Sequence, residues 1–201
     1  MMEHKFELSV EELEKCESFS NNSAKSQREY RSGGSLLRLT KMISQDTLRG
    51  KVAELIVKKF LEQDFFGFKK IKLDFDIYPR GKWDKSDIDI NGFSISIKSS
   101  KSFAKWLLVE KKDLERGDLY DFYIMVLVDK SFASGKVKGF VSKNKIAKIE
   151  GKTLLLKKGE FIPGTSTVLD ADNHGILITD LKNSNQDWVN FKLNITSKEL
   201  P

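Results

Sequence analysis

The chain is poor in the residues that most often build small metal sites. It has one cysteine, Cys16, which excludes an internal disulfide and a cysteine-based zinc cluster. Its two histidines, His4 and His174, lie far apart in sequence. That speaks against a histidine-rich metal site and against nucleases that need several histidines. No apolar run approaches the roughly 20 residues needed to span a bilayer, so no membrane association is expected. Met1-Met2-Glu3-His4-Lys5 lead into no apolar segment, so no signal peptide is expected and the reading is cytoplasmic. Walker, dinucleotide-binding and nucleophile-elbow motifs are missing, and with them any sign of an organic cofactor. Carboxylates, lysines and hydroxyls are what remain for catalysis.

What is present suits one domain with a small appendage. The 201 residues are 39% hydrophobic and 32% charged, enough to bury a core. Lys and Arg number 35 against 29 Asp and Glu, a net charge of +6. A basic balance suits a polyanionic partner, although a lysine-rich solvated surface gives the same sum.

Organisation follows from periodicity. Residues 1–43 read as an N-terminal helix and flexible arm. Ser9-Val10-Glu11-Glu12 is a capped helix start, the helix runs to about Phe19, and the polar stretch beyond it reads as loop rather than core. Residues 44–150 hold the core. A helix is expected over 46–63, with Asp46 as its N-cap and Leu48, Val52, Leu55, Ile56, Phe60 and Leu61 as its apolar stripe. Gly50 in that helix reads as a helix–sheet packing contact. Ile71 to Tyr78 alternates as a half-buried strand does. Phe122 to Val128 is continuously apolar, as a strand buried on both faces would be. Short helices are expected at 110–116 and 143–149, and a strand at 137–141. Residues 151–201 read as a strand-rich C-terminal extension of the same domain, ending in Trp188 and Phe191. The order predicts an α/β (α+β) fold around a mixed sheet.

The segment 87–98 is the most informative. Asn91-Gly92 between two alternating runs is a strong hairpin signal, because a type I′ turn needs positive φ at both positions. Such a turn pairs Ile90 with Phe93, Asp89 with Ser94, Ile88 with Ile95 and Asp87 with Ser96. Ile88, Ile90, Phe93, Ile95 and Ile97 then share the core face. Asp87, Asp89, Ser94, Ser96 and Lys98 share the other. An acid, a hydroxyl and an ammonium stand together on one side of a β-ribbon. Any half-exposed hairpin also alternates apolar and polar, so a solvated cross-strand pair gives the same pattern.

Together with its neighbours, this ribbon resembles the PD-(D/E)XK nuclease superfamily. There an Asp near the start of one hairpin strand faces a (D/E)-x-K element on the next. The matching residues are Asp87 and Ser96-Ile97-Lys98, and the resemblance covers about residues 44–130. The helix before the sheet commonly carries a metal-directed Glu, here Glu54 in Gly50-Lys51-Val52-Ala53-Glu54-Leu55. Ser86 replaces the usual Pro. Ser96 stands where the second carboxylate belongs, and a hydroxyl is a weaker ligand for a hard cation. Some restriction enzymes of the superfamily carry Ser there and take a Glu from a following helix, for which Glu110 and Glu115 are the candidates. Glu54 would otherwise supply the charge, and Asp89 lies on the correct face.

The resemblance implies a restriction-endonuclease-like mixed sheet flanked by helices, most like a small type II restriction enzyme. It implies catalytic roles for Glu54, Asp87, Ser96 and Lys98. Mg²⁺ would be held by Asp87 and Glu54, with Asp89 or Glu110 as further ligands. It also implies a double-stranded DNA substrate and, for a palindromic target, a homodimer. Arg80, Lys82, Lys85, Lys101 and Lys105 bracket the ribbon and would hold phosphates. A resolvase or repair nuclease shares this core. A non-catalytic nucleic-acid-binding protein on the same fold, or a polypeptide-interaction domain, are the alternatives.

Overall fold

The computed structural model describes residues 4–26, 39–63, 65–69, 71–79, 86–115, 120–148 and 154–197. In chain order these form β1 (His4–Glu7), α1 (Val10–Ser26), α2 (Thr40–Leu61), β2 (Ile88–Ile90), β3 (Phe93–Lys101), β4 (Trp106–Glu110), α3 (Lys111–Glu115), β5 (Phe122–Val128), β6 (Ser134–Ser142), α4 (Lys143–Lys148), β7 (Leu154–Leu156), β8 (Asn173–Leu177) and α5 (Asn185–Thr196). The class is mixed α/β, compatible with α+β.

A five-stranded sheet in the order β1-β6-β5-β3-β2 carries the architecture. β3 and β5 run parallel, and the other pairs are antiparallel. All seven residues of β5 are buried, as its unbroken apolar run predicts. Ile124 and Val126 face a core built with α2 and α5, through Val52, Ile56, Trp188 and Phe191. Tyr123 and Met125 face a second core shared with β4 and β8, through Leu107, Val109 and Ile176. β4, β8 and β7 form a separate three-stranded sheet. Helices, sheet and sheet thus stack in three layers.

Several elements depart from the sequence reading. α2 begins at Thr40, so Asp46 lies inside the helix, ion-paired to Arg49 at 2.8 Å, rather than capping it. Among the described residues no atom outside the helix lies within 4 Å of where a Cβ would stand on Gly50, so no close helix–sheet approach is made there. α1 does start on a capping box: Ser9 and Glu12 exchange hydrogen bonds of 2.8 and 3.2 Å. It continues past Phe19 to Ser26, because Ser20, Ser23 and Ala24 are small enough to bury against α2. Residues 27–38 of the expected arm lie outside the described residues.

Residues 71–79 join no ladder. Local side chains take their backbone groups instead. The Asp74 carboxylate accepts from the Asp76 N–H at 2.7 Å, the Asp74 carbonyl accepts from Lys51 Nζ at 2.7 Å, and the Tyr78 carbonyl accepts from the Ser26 hydroxyl at 2.7 Å. Among its described residues the C-terminal region holds the short strands β7 and β8 and a bridge between Phe161 and Val168, and Trp188 and Phe191 lie in α5, not in a strand. A second capping box, Ser184 with Asp187, starts that helix, and Trp188, Phe191 and Ile195 bury one face of it.

Candidate functional site

The β2–β3 turn has the geometry its sequence demands: Asn91 and Gly92 stand at φ 51° and 75°. The register follows, with Ile90 opposite Phe93, Asp89 opposite Ser94 and Ile88 opposite Ile95. Ile88, Ile90, Ile95 and Ile97 are buried in the first core. β2 begins at Ile88, so beyond that point β3 has no strand on this side among the described residues. The Asp87 side chain takes over: its Oδ2 accepts the Ile97 N–H at 2.5 Å. A backbone donor that would be orphaned at the end of the ladder is satisfied by a carboxylate.

Asp87 sits where several groups converge. The Ser96 side chain and the Lys98 and Lys51 ammoniums each pull its carboxyl toward the charged form. The residue is half-buried as a whole. Burial of the carboxyl pushes Asp87 above the ordinary carboxylate value, against the pull of the Ile97 N–H, the two lysines and Ser96. Ser96 is only 3% exposed. It is therefore a buried hydroxyl, rather than one that faces solvent on a polar ribbon.

Lys51 is the residue that pattern reading missed. It is 4% exposed, beside Glu54 at 8%. Its Nζ donates to Glu54 Oε2 at 2.5 Å and to the Asp74 carbonyl at 2.7 Å, and it lies over the rings of Phe19 and Phe75. A buried ammonium needs such partners to offset desolvation. The signal was visible in sequence: a lysine between Leu48 and Leu55, inside the apolar stripe and one turn from an acid. The Cys16 thiol is buried nearby, and burial pushes it up to about 12, so it stays protonated at neutral pH.

Lys98 is half-buried, with its Nζ 5.8 Å from the centre of the Tyr123 ring. Asp87 and Asp89 line a cleft of about 930 Å³ between the free edge of β2 and residues 66–78. Asp74 lines it too, and its carboxylate accepts from the Tyr78 hydroxyl. Asp89 is exposed and accepts from the Ser86 hydroxyl at 2.6 Å.

Glu110 stands elsewhere. It is on β4, on the face opposite Leu107 and Val109, ion-paired to Lys112 at 2.5 Å. Glu115 pairs with Lys111 at 3.3 Å. Lys101 and Lys105 are exposed at a second cleft of about 480 Å³. Arg80, Lys82 and Lys85 lie outside the described residues.

Among the described residues, no three His, Cys, Asp or Glu side chains gather closely enough to ligate one ion. Mg²⁺ does not require such a cage. It keeps several waters and binds through one or two carboxylates plus substrate phosphate. Asp87, open to a cleft shared with Asp89 and Asp74, fits that mode of binding. No helix among the described residues is long and apolar enough to cross a membrane. No family model, curated protein or solved structure matches this chain.

Proposed function

We propose that this protein is a Mg²⁺-dependent endodeoxyribonuclease with a restriction-endonuclease-like core, acting in the cytoplasm on double-stranded DNA as a homodimer. One observation carries the reading. Asp87 lines an open cleft, is fixed to β3 by the Ile97 N–H, and is acted on by the charges of Lys98 and Lys51. An acid and an ammonium placed together on a rigid ribbon suit phosphodiester hydrolysis, which needs both a metal-held phosphate and a stabilised nucleophile.

Asp87 would hold Mg²⁺, with Glu54 as second carboxylate once Lys51 turns wholly to the Asp74 carbonyl it already touches. The ion would supply Lewis-acid polarisation of the phosphate and a more acidic bound water. Lys98 would orient the attacking water and offset the negative charge that grows on the phosphoryl oxygens. The water oxygen bonds to phosphorus, the bond to the leaving sugar oxygen breaks, and that oxygen takes up a proton. The Ile97 N–H keeps the Asp87 carboxylate in place throughout.

A second reading, a non-catalytic nucleic-acid-binding protein on the same fold, rests on Lys51 neutralising Glu54 while Ser96 occupies the place of the other acid. Plasmid DNA incubated with the protein in Mg²⁺ or in EDTA separates the two. Conversion of supercoiled DNA in Mg²⁺ alone is expected. DNA binding without conversion in either condition selects the second reading.

A further inference from the structure

We infer that the groove at the far end of β3 binds an unpaired nucleic-acid strand, so that the substrate is a duplex with a single-stranded flank. The inference rests on the nuclease reading above and adds the form of the substrate. Ser99, Ser100 and Lys101 continue β3 beyond Lys98, and the groove begins with them. At about 3.3 Å per residue, Lys101 lies roughly 10 Å along the strand from Lys98. A polymer bound at Asp87 and Lys98 can therefore run on into it.

The walls come from three elements. Arg49 and Asp46 of α2 stand on one side. The turn from Lys101 to Ala104 forms the rim, closed by the Ala104 N–H on the Lys101 carbonyl at 3.0 Å. A small hairpin forms the opposite wall. It is bridged at Phe161 and Val168, turns through Gly164 at φ 79°, and is tied to β4 by the Trp106 indole N–H on the Pro163 carbonyl at 3.3 Å.

The chemistry selects a single strand. Three cations, Arg49, Lys101 and Lys105, face one carboxylate, Asp46, which Arg49 already binds at 2.8 Å. That surplus suits phosphates. Phe103 is 73% exposed at the rim, with Lys101 Nζ 5.9 Å from its ring centre. A large aromatic held in water between cations offers a stacking platform for an unpaired base. An acidic peptide would use the cations and leave the ring idle. A duplex covers both faces of each base with its neighbours in the stack, so it too would use the cations and leave the ring idle.

Fluorescence polarisation of labelled DNA in EDTA tests this. The probes are a blunt duplex, the same duplex with a short single-stranded tail, the same with an abasic tail, and poly-glutamate as competitor. The tail is expected to raise affinity at least fivefold, the abasic tail much less, and poly-glutamate to compete poorly. Phe103→Ala should erase the gain from the tail while blunt-duplex binding holds. Lys101→Ala with Lys105→Ala should flatten the salt dependence by between one and two counterions. Both variants alter exposed side chains, and circular dichroism checks the fold. Equal gain from normal and abasic tails, or a gain that survives Phe103→Ala, overturns the inference and leaves the nuclease reading standing. So does poly-glutamate competing as well as the tailed duplex. Failure to bind any DNA overturns both.

Discussion

β3 passes between two clefts of opposite character. At one end, near Asp87, the polar groups are buried or half-buried and bonded: a carboxylate on a backbone N–H, a lysine on Glu54 and on the Asp74 carbonyl. At the other end, near Lys101, they are exposed cations on turns and hydroxyls on a small hairpin. The difference follows from the task each end would perform. Bond breaking needs atoms held to within a fraction of an ångström, which packing and hydrogen bonds provide. Holding a polyanion needs charge at the right spacing, which mobile side chains supply without burial.

The sharpest way to break this contrast is through the buried pair. Glu54→Gln leaves Lys51 buried without its charge partner, and a stability loss of about 3–5 kcal/mol is expected in urea denaturation. Adding Lys51→Met should recover most of it. A loss under about 1 kcal/mol would place the pair in water and remove the contrast.

Asp87→Asn comes next. Cleavage should fall about 10²–10³-fold, while DNA binding in EDTA is unchanged. The same variant reports on burial. A carboxyl raised in the folded state stabilises the protein fully only below its unfolded value, and that contribution is lost as pH rises through the folded value. Asn has no such charge, so Asp87→Asn is expected to raise Tm at neutral pH, with the gap closing as pH falls. A lower Tm at neutral pH that persists in acid would mean that the carboxylate is needed for packing alone.

Ser96→Glu would insert a carboxylate beside Asp87 at a buried position, with a stability cost of about 1–3 kcal/mol and no rise in cleavage. A large gain in cleavage would show that a metal ligand had been missing. Glu110→Gln has the smallest effect. It touches an ion pair on the other sheet, so stability should change by less than about 1 kcal/mol and cleavage not at all. Loss of cleavage there would move the acidic centre off the hairpin.

The hairpin, its turn, its register and the buried β5 were readable because each rests on local chemistry: positive φ at Asn-Gly, a period of two, an unbroken apolar run. What hid from the sequence depended on distant partners. The segment 71–79 alternates like a strand, yet Lys51 and Ser26 capture its carbonyls. α5 is rich in residues that favour strands, and a capping box together with the burial of Trp188 and Phe191 makes it a helix. The polar end of α1 reads as loop, until α2 offers a surface on which serines and alanine can bury. Within the candidate site, Asp87 and Ser96 were placed opposite each other by counting from the turn. The Ile97 N–H bond that holds Asp87, and the ammonium of Lys51, belong to a fold in which α2 packs on the sheet.

Lys98→Ala is the most direct test. Lys98 is half-buried over the Tyr123 ring on a strand held by its own ladder, so its removal should leave the fold and DNA affinity intact. In a plasmid assay with Mg²⁺, the variant is expected to lose cleavage by about 10²–10³-fold relative to wild type, with equal DNA binding in EDTA. Cleavage by Lys98→Ala at the wild-type rate would contradict the assignment of this hairpin as the catalytic centre.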